Sequence, residues 1–454
     1  MAAKTKRAAF FCTECGNETP RWEGKCPACG AWNSLAEPPA LPELRRSGAA
    51  ERESDEPRPL GQVDPAADTR WLLGVDELDF VLGGGVVPGS VLLIAGDPGV
   101  GKSTLLLQTA ARLERTGRST LYVSGEESAG QVGTRAERLG EDASRVAFLA
   151  ETSLSEILRH ARERSPDVLL LDSIQTAYAD DLDSAPGSVG QVRECAARLQ
   201  RFAKDTGTAV TLVGHVTKGG GVAGPKTLEH IVDVVLRFEG ARGLDHRLLR
   251  ATKNRFGAVD EIGVFRMTGR GLVPVPNPSE LFLGGRGEPR PGSAVLPVIE
   301  GSRPLLVEVQ ALAVRSSYGS PQRVSSGLNP KRLALLLAVL ERSAGIGFGS
   351  RDVFVNVAGG VRLTETAADA AVIAALASSV RDRPLRPDAG LVGEVGLGGE
   401  LRPVGHAGRR LAELARMGFS AVYLPARNRP SEAPPGLEVV EVADVPSLLE
   451  QALG

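Results

Sequence analysis

One stretch of the sequence limits the possible folds more than any other: AGDPGVGKST, residues 95–104. Gly96, Gly101, Lys102 and Ser103 fit the pattern GxxxxGK[ST]. The apolar run SVLLIAG leads into this stretch, and the helical run KSTLLLQTAARLERTG leaves it. A strand that passes through a glycine-rich loop into a helix is the usual setting of a phosphate-binding loop. The sequence therefore predicts an α/β core that binds a nucleotide.

Each part of this loop has a chemical role beside a bound nucleotide. Glycines let backbone N–H groups turn inward around phosphates, and the helix N-terminus adds the positive end of its dipole. Lys102 is expected to reach the β- and γ-phosphates, and the Ser103 hydroxyl to bind Mg²⁺. The residues predicted to contact ATP are Gly96, Asp97, Pro98, Gly99, Val100, Gly101, Lys102, Ser103 and Thr104.

Two acidic residues are expected to complete the site. Asp172 ends the apolar strand VLLLD, where a carboxylate can hold Mg²⁺. Glu126 is interpreted as the end of the strand LYVSGE, where it can take a proton from the attacking water. Glu127 is adjacent, so the sequence leaves open which of the two glutamates is the base.

Hydrolysis also needs positive charge at the γ-phosphate, which oligomeric ATPases often take from a neighbouring subunit. The segment KNRFG, residues 253–257, places Lys253 and Arg255 in a compact turn. The turn has two interpretations: a solvated basic turn, or a pair of cations that reach the nucleotide of a neighbour.

Short apolar runs alternate with helical patterns from Trp71 onward, which predicts a mostly parallel sheet with helices on both faces. A second α/β block is predicted to begin near Phe282. Between Glu37 and Ala67 the chain is rich in proline and charge and has no aromatic residue, which is typical of a linker. The predicted division is 1–36, 37–68, 69–280 and 281–454.

Four of the five cysteines lie in the first thirty residues, in two CxxC pairs. This spacing favours a tetrahedral zinc site in a small ribbon over a disulfide framework. We expect Trp22 and Trp32 to cover the metal, and the isolated Cys195 to be a buried apolar residue. The predicted zinc ligands are Cys12, Cys15, Cys26 and Cys29.

Composition excludes some broad classes of protein. The net charge is -2, so the chain lacks the overall positive charge that would indicate nucleic-acid binding. The N-terminal segment has no apolar signal core, and no apolar run is long enough to cross a bilayer. A soluble, cytoplasmic protein is expected.

Several motifs occur in one order: CTEC…CPAC, AGDPGVGKST, YVSGEES, LLLDSIQT, APGSVGQVREC, GHVTK and KNRFG. Together they closely resemble the bacterial RadA (Sms) family of DNA repair proteins. The resemblance implies a RecA-like ATPase core, hexameric rings, and an ATP-dependent motor on single-stranded and branched DNA. It also implies cooperation with RecA recombinase in branch migration.

The resemblance assigns further roles to matched positions. Glu126 is similar to the glutamate that activates water, and Asp172 to the Walker B carboxylate. His215 occupies the place of a γ-phosphate sensor, and Lys253 and Arg255 resemble residues that reach into a neighbouring subunit.

The loops that follow Asp172 and His215 correspond to the DNA-contacting loops of RecA. The second loop, TKGGGVAGPK, carries Lys218 and Lys226 as candidate phosphate contacts. A plain mobile loop without DNA contacts is the alternative interpretation.

The resemblance also implies that the C-terminal block is similar to the proteolytic domain of Lon, which needs a serine and a lysine. Ala367 aligns with the serine and Gly408 with the lysine, so proteolysis is not expected. Arg402, Arg409 and Arg410 then remain as residues available to DNA, or as a solvated basic face. Two functions compete for the whole chain: a DNA motor, and a nucleotide-switched scaffold that recruits recombination partners without translocating.

Overall fold

The computed structural model describes residues 10–12, 18–19, 21–27, 30–36, 70–215, 228–240, 245–259, 261–283, 289–317 and 319–453. The predicted linker, 37–68, lies outside these residues. The chain divides into two compact units. The first contains the residues before 240 together with 251–257 and 268–272, and the second contains the remainder.

The N-terminal module is a small antiparallel sheet. Its strands, in the order β2-β1-β3, are β1 (Phe10–Cys12), β2 (Glu18–Thr19) and β3 (Leu35–Ala36). Cys12 and Cys26 are buried together with Leu35 and form its small core. A core of this size gives little hydrophobic stabilisation, so such a module depends on a metal for its fold.

Six parallel strands form the centre of the first unit, in the order β9-β4-β8-β7-β5-β6. They are β4 (Val91–Gly96), β5 (Thr120–Ser124), β6 (Ala147–Ala150), β7 (Val168–Asp172), β8 (Ala209–His215) and β9 (Val234–Gly240). Gly96 pairs with His215, and Ser124 with Asp172. The parallel register thus gathers the sequence-predicted site residues at the carboxyl edge of the sheet.

Helices cover this sheet because successive strand residues are buried on opposite faces. One set of alternate apolar residues in β4, β5, β7 and β8 packs against α4 and α5, and α2 contacts the same sheet. The helices are α1 (Asp76–Leu82), α2 (Lys102–Arg115), α3 (Ala129–Leu139), α4 (Leu154–Arg164) and α5 (Val189–Thr206). The predicted α/β class is confirmed, and Cys195 is buried in the α5 core as expected.

The predicted boundary at residues 280 and 281 differs from the division into compact units. The segment after β9 contains β10 (His246–Asn254), β11 (Ile262–Thr268), β12 (Gly271–Pro274) and α6 (Pro278–Phe282). Residues 246–250 pair with 262–266 and belong to the second unit, whereas 251–257 belong to the first. The division into compact units therefore follows the antiparallel pairing of β10 with β11.

The second unit has a seven-stranded mixed sheet in the order β15-β16-β14-β13-β17-β20-β21, with a separate hairpin of β18 and β19. The strands are β13 (Ser293–Glu300), β14 (Arg303–Arg315), β15 (Arg323–Ser326), β16 (Arg351–Val357), β17 (Ala389–Leu391), β18 (Glu394–Val395), β19 (Leu401–Arg402), β20 (Ala421–Pro425) and β21 (Glu438–Val442). The helices are α7 (Pro330–Ala344), α8 (Asp369–Arg381), α9 (Ala407–Arg416) and α10 (Val445–Leu453).

The alanine-rich helix α8 is buried in the core of this unit, against β13 and β14. Small side chains allow a helix to approach a sheet closely. Val353, Val355 and Val357 are buried on one face of β16, and β18 pairs with β19 in an antiparallel hairpin. Among the described residues, no helix has the length and apolar character required to cross a membrane.

Candidate functional site

The loop between β4 and α2 has the geometry that its glycines predict. Gly99 and Gly101 have φ values of 76° and 116°, a backbone region that glycine adopts without strain. A side chain at Gly96 would clash with the carbonyl oxygen of Phe238 on the adjacent strand β9. Helix α2 begins at Lys102, directly after this turn, so its first N–H groups point into the loop.

Lys102 lies inside the loop with only 4% of its surface exposed. Its Nζ donates hydrogen bonds to the carbonyl oxygens of Gly96, at 2.8 Å, and Asp97, at 3.0 Å. Burial lowers the pKa of Lys102, while the negative charges of Asp172, Glu126 and Asp97 oppose this effect. Lys102 thus holds the loop in the curved shape that phosphates require.

Asp172, at the end of β7, is 5% exposed and faces the start of α2. It accepts a hydrogen bond from the Tyr122 hydroxyl at 3.1 Å, and another from the side chain of Ser103. Burial raises the pKa of Asp172, and these two hydrogen bonds oppose the rise. A hydroxyl and a carboxylate in contact are hard oxygen donors of the kind Mg²⁺ prefers, so Ser103 and Asp172 fit that ion.

Tyr122 is a member of the site that sequence reasoning missed. It is buried in the middle of β5, and burial together with the charge of Asp172 raises its pKa well above the usual value. The phenol is therefore neutral and donates to the carboxylate. The available signal was a tyrosine within the otherwise aliphatic run of a buried strand, where a hydroxyl requires a partner.

The two adjacent glutamates have different surroundings. Glu127 forms an ion pair with Arg135 of α3. The Glu126 Oε1 atom accepts a hydrogen bond from the Ser173 hydroxyl at 2.7 Å and lies 3.3 Å from His215 Nε2. Glu126 does not end the strand, as the sequence suggested, because β5 stops at Ser124. These contacts favour Glu126 over Glu127 as the base.

His215 and Gln175 leave unused polar atoms beside Glu126. Within the described part of the chain, His215 Nδ1 and Gln175 Oε1 are buried without a hydrogen-bond partner. Gln175 Nε2 lies 3.5 Å from the His215 carbonyl oxygen. Buried polar atoms usually find partners, so these two are candidates to bind a ligand or its water. Sequence reasoning identified His215 but not Ser173 or Gln175.

The KNRFG turn lies near the amino-terminal end of β4, whereas the phosphate loop of the same chain follows the carboxyl-terminal end of that strand. Asp233, which contacts this turn, exchanges hydrogen bonds with Val91 at the start of β4. The phosphate loop follows Gly96 at the other end of that strand, ~16 Å away at the usual rise of a β-strand. The two cations of this turn are therefore out of reach of the nucleotide site on their own chain.

Within the turn, each cation has hydrogen-bond partners in its own chain. Lys253 Nζ donates to the carbonyl oxygens of Glu229 and Val232, both at 2.6 Å. Burial and the neighbouring charge of Arg255 lower the pKa of Lys253. One terminal nitrogen of Arg255 pairs with Asp233 at 3.1 Å, yet half of the Arg255 side chain is exposed. Arg255 is therefore the more exposed of the two cations in the turn.

The zinc module is described in part. The Cys12 and Cys26 thiols are buried together, and the Gly30 N–H donates to the Cys26 carbonyl oxygen at 2.9 Å. Cys15 and Cys29 lie outside the described residues, as do the candidate DNA contacts Lys218 and Lys226. Among the residues described, no three potential metal ligands lie together. Two buried cysteines, one from each CxxC pair, fit half of a four-thiolate zinc site.

The expectation that two tryptophans cover the metal is wrong. Trp22 and Trp32 are 56% and 73% exposed. Trp22 Nε1 donates to the Leu35 carbonyl oxygen at 3.1 Å, and Lys25 Nζ lies 5.7 Å from the centre of the Trp32 ring. These contacts fix the rings on the surface, while the apolar interior is formed by the cysteines and Leu35.

Replacing Cys26 by serine is expected to release about one zinc ion per chain and to unfold the N-terminal module, because a thiolate ligand is lost. ATP hydrolysis should persist at least in part. Elemental analysis of the purified variant measures the metal. Cys195→Ser is the matched control, since that cysteine lies in α5 and should leave the zinc content unchanged. Full zinc occupancy in Cys26→Ser would contradict the assignment.

The two positions that the resemblance aligns with the serine and the lysine of Lon have different surroundings. Ala367 is buried, and its carbonyl oxygen accepts a hydrogen bond from Gly393 at 3.0 Å. Gly408 lies in α9 with open space where a side chain would be. Neither position carries a nucleophile or a base.

The prediction that Arg410 is available to DNA is wrong. Its side chain is only 2% exposed and forms a bidentate ion pair with Glu365. It also donates to the Pro297 carbonyl oxygen at 2.6 Å. Arg410 is thus enclosed within the fold, and only Arg402 and Arg409 of the three predicted arginines are exposed.

A parallel sheet whose central strand leads through a glycine loop to a buried lysine, beside a buried carboxylate, defines a P-loop ATPase. The family model described as "AAA domain" matches residues 65–221 of this core. The chain belongs to the RadA family of DNA repair proteins.

This membership rests on relatives that match the chain over nearly its whole length. The DNA repair protein RadA of Pseudomonas aeruginosa is 51% identical over 453 residues, covering 99% of each chain. That of Escherichia coli is 49% identical with 97% of each covered, and that of Bacillus subtilis 46% with 100% of each. The crystal structure of the RadB recombinase covers 45% of this chain and 99% of its own, with 21% identity and a TM-score of 0.36.

Two other family models match the flanking parts of the chain. A "Rubredoxin metal binding domain" matches residues 10–37, which supports the zinc ribbon. A "Lon protease (S16) C-terminal proteolytic domain" matches residues 344–454. The predicted resemblance to Lon is thereby confirmed as a likeness of fold.

Proposed function

We propose that the protein is a DNA-dependent ATPase that acts in homologous recombination and repair. In this proposal it drives branch migration of recombination intermediates together with RecA recombinase, on single-stranded and branched DNA. Membership of a family of DNA repair proteins supports the setting. The nucleotide site supports the chemistry.

The observation that carries the DNA dependence is the environment of Glu126. Ser173, the first residue of one candidate DNA loop, donates to the Glu126 carboxylate at 2.7 Å. His215, the last residue before the other loop, lies 3.3 Å from the same oxygen. A strand of DNA that moves either loop would therefore change the position of the glutamate that activates water.

The proposed reaction is an in-line attack of water on the γ-phosphate. Glu126 accepts a proton from the water, a bond forms from the water oxygen to phosphorus, and the bond to the β-phosphate oxygen breaks. Lys102 neutralises charge on the phosphate oxygens, and Mg²⁺, held by Ser103 and Asp172, would stabilise the leaving phosphate. We propose that His215, which lies 3.3 Å from Glu126, contacts the γ-phosphate after turning away from that carboxylate.

The position of the KNRFG turn supports an oligomer. Because Lys253 and Arg255 lie at the far edge of the sheet from their own phosphate loop, they can act on ATP only across a subunit interface. A closed ring places every turn against a neighbouring nucleotide site, and we propose a hexamer.

The ATPase rate with and without single-stranded DNA tests the function. We expect stimulation of ~10-fold or more, equivalent to about 1.4 kcal/mol of barrier, because DNA frees Glu126 from its loop contacts. Lys102→Ala measured in parallel corrects for contaminating ATPases. Equal rates with and without DNA, at concentrations where DNA binding is shown directly, would instead favour the nucleotide-switched scaffold.

We also propose that the C-terminal domain is not a protease. The purified protein should leave unfolded casein intact with and without ATP, because Ala367 and Gly408 provide neither nucleophile nor base. Gel electrophoresis of the substrate over hours is the measurement. Cleavage that survives repurification and disappears on mutation within residues 344–454 would overturn this interpretation.

A further inference from the structure

We propose that Arg70 is a positioning residue for the KNRFG turn, one that sets where Arg255 is presented to the neighbouring subunit. The proposal rests on the proposed action of Arg255 across the interface. Arg70 lies far from the turn in sequence and outside every motif used above, so its role is visible only from the folded contacts.

A single guanidinium joins two segments that are distant in sequence. Arg70 Nη1 donates to the carbonyl oxygens of Leu82, at 2.9 Å, and Gly83, at 2.6 Å, where α1 ends. Its Nη2 donates to the carbonyl oxygen of Phe256, the residue that follows Arg255. The KNRFG turn is thereby fixed to the end of α1.

The end of α1 is shaped to receive this side chain. Gly83 has a φ of 76°, and a side chain there would lie 3.0 Å from Arg70 Nη1 and close to the backbone of Gly257. The planar guanidinium, with five donors in fixed directions, can bond carbonyl groups of two segments at once. A lysine ammonium keeps the charge but lacks this fork.

Arg70 completes a set of restraints on both sides of Arg255. The Arg255 N–H donates to the Asp233 carbonyl oxygen at 3.2 Å, and the Phe256 N–H to Asn254 Oδ1 at 2.9 Å. Arg70 holds the next carbonyl group along the chain. Asp233 holds one terminal nitrogen of Arg255 directly, while the backbone of the turn sets the point from which the half-exposed side chain extends. Small misplacements of such a group can cost ~10²-fold in rate.

The first experiment measures ATP turnover by full-length Arg70→Ala and Arg70→Lys. We expect kcat to fall about 10- to 100-fold, with KM for ATP nearly unchanged, because the phosphate loop is untouched while the finger is misplaced. Arg118→Ala is the matched control. Arg118 lies over the ring of Trp71, 4.4 Å away, and pairs with Asp167 at 3.2 Å, so it holds the same entering segment by contacts away from the turn. Its kcat should stay near that of the unmodified protein.

The second experiment distinguishes a positioning role from a general loss of structure. Arg70→Ala subunits retain an intact phosphate loop, and Lys102→Ala subunits retain an intact turn. In mixed rings, some interfaces join the two intact halves, so hydrolysis should rise above that of either variant alone. A subunit that is damaged throughout would not recover in this way.

The outcomes decide between the alternatives. Normal kcat in both Arg70 variants, or mixtures with Lys102→Ala that show no gain although subunits exchange, would overturn the proposal. Arg70→Lys replaces Arg70→Ala in the mixtures if the alanine variant does not fold. Mixtures of Arg255→Ala with Lys102→Ala are run beside them. If these recover and the Arg70 mixtures do not, the proposal for Arg70 fails while the action of Arg255 across the interface stands.

Discussion

Replacing Lys102 by alanine is expected to abolish ATP hydrolysis and to weaken ATP binding. The change removes the buried cation of the loop and the two hydrogen bonds that hold Gly96 and Asp97. Loss of one donor at a reacting centre commonly costs ~10²-fold or more in rate. Turnover of radiolabelled ATP and equilibrium binding of a fluorescent ATP analogue are the two measurements.

Lys204→Ala is the matched control, because Lys204 is an exposed lysine near the end of α5. It should hydrolyse ATP at the rate of the unmodified protein. Normal turnover in Lys102→Ala would show that a different site hydrolyses ATP, and the interpretation of residues 95–104 would then be wrong.

Replacing Arg255 by alanine is expected to leave ATP binding nearly normal and to reduce hydrolysis by ~10³-fold, the size of the effect of an arginine finger. An exposed arginine without such a role changes little, since surface substitutions typically alter stability by less than ~0.5 kcal/mol. Arg164→Ala, an exposed arginine at the end of α4, is the matched control. The size of the loss in kcat separates the two interpretations of the KNRFG turn.

Mixed oligomers test whether Arg255 acts across the subunit interface. Arg255→Ala and Lys102→Ala subunits should each be inactive alone and recover part of the hydrolysis together. Mixtures that stay inactive while fluorescence energy transfer shows subunit exchange would remove support for that assignment. If Arg255→Ala alone hydrolyses ATP normally, contact with DNA or a partner becomes the better function for the turn.

Much of the ATPase core was predictable from the sequence because local pattern and tertiary structure agree there. The run before Gly96 is apolar at every position, as a strand buried on both faces requires. The spacing from Gly96 to Lys102 matches the phosphate-binding pattern, and Gly99 and Gly101 adopt positive φ values in the loop. Parallel strand pairing then brings Asp172 and His215 to the same edge, as their positions at strand ends predicted.

Other members of the site depend on contacts between distant segments, which no local pattern contains. Tyr122 meets Asp172 only because β5 and β7 are neighbours in the sheet. Ser173 contacts Glu126 because the turn after β7 brings them together. Arg70 contacts Phe256, which lies 186 residues further along the chain. These contacts could be predicted only from the order of the strands in the sheet, and the sequence analysis did not predict that order.

The incorrect expectations concern the exposure of side chains, which depends on the partners that the fold brings to them. Arg410 is buried because Glu365 and the Pro297 carbonyl group satisfy its charge. Trp22 and Trp32 are exposed because the ribbon is too small to enclose two large rings.

The contacts of Glu126 with Ser173 and His215 have a thermodynamic consequence. If DNA bound at the two loops alters the affinity of the site for ATP, then ATP must alter the affinity for DNA by the same factor, since the coupling free energy between two sites is reciprocal. Each round of hydrolysis would then change the affinity of the protein for DNA, and no separate signal would be needed. The binding of ATP and the affinity for DNA would then be coupled in a single equilibrium, through the position of the Glu126 carboxylate.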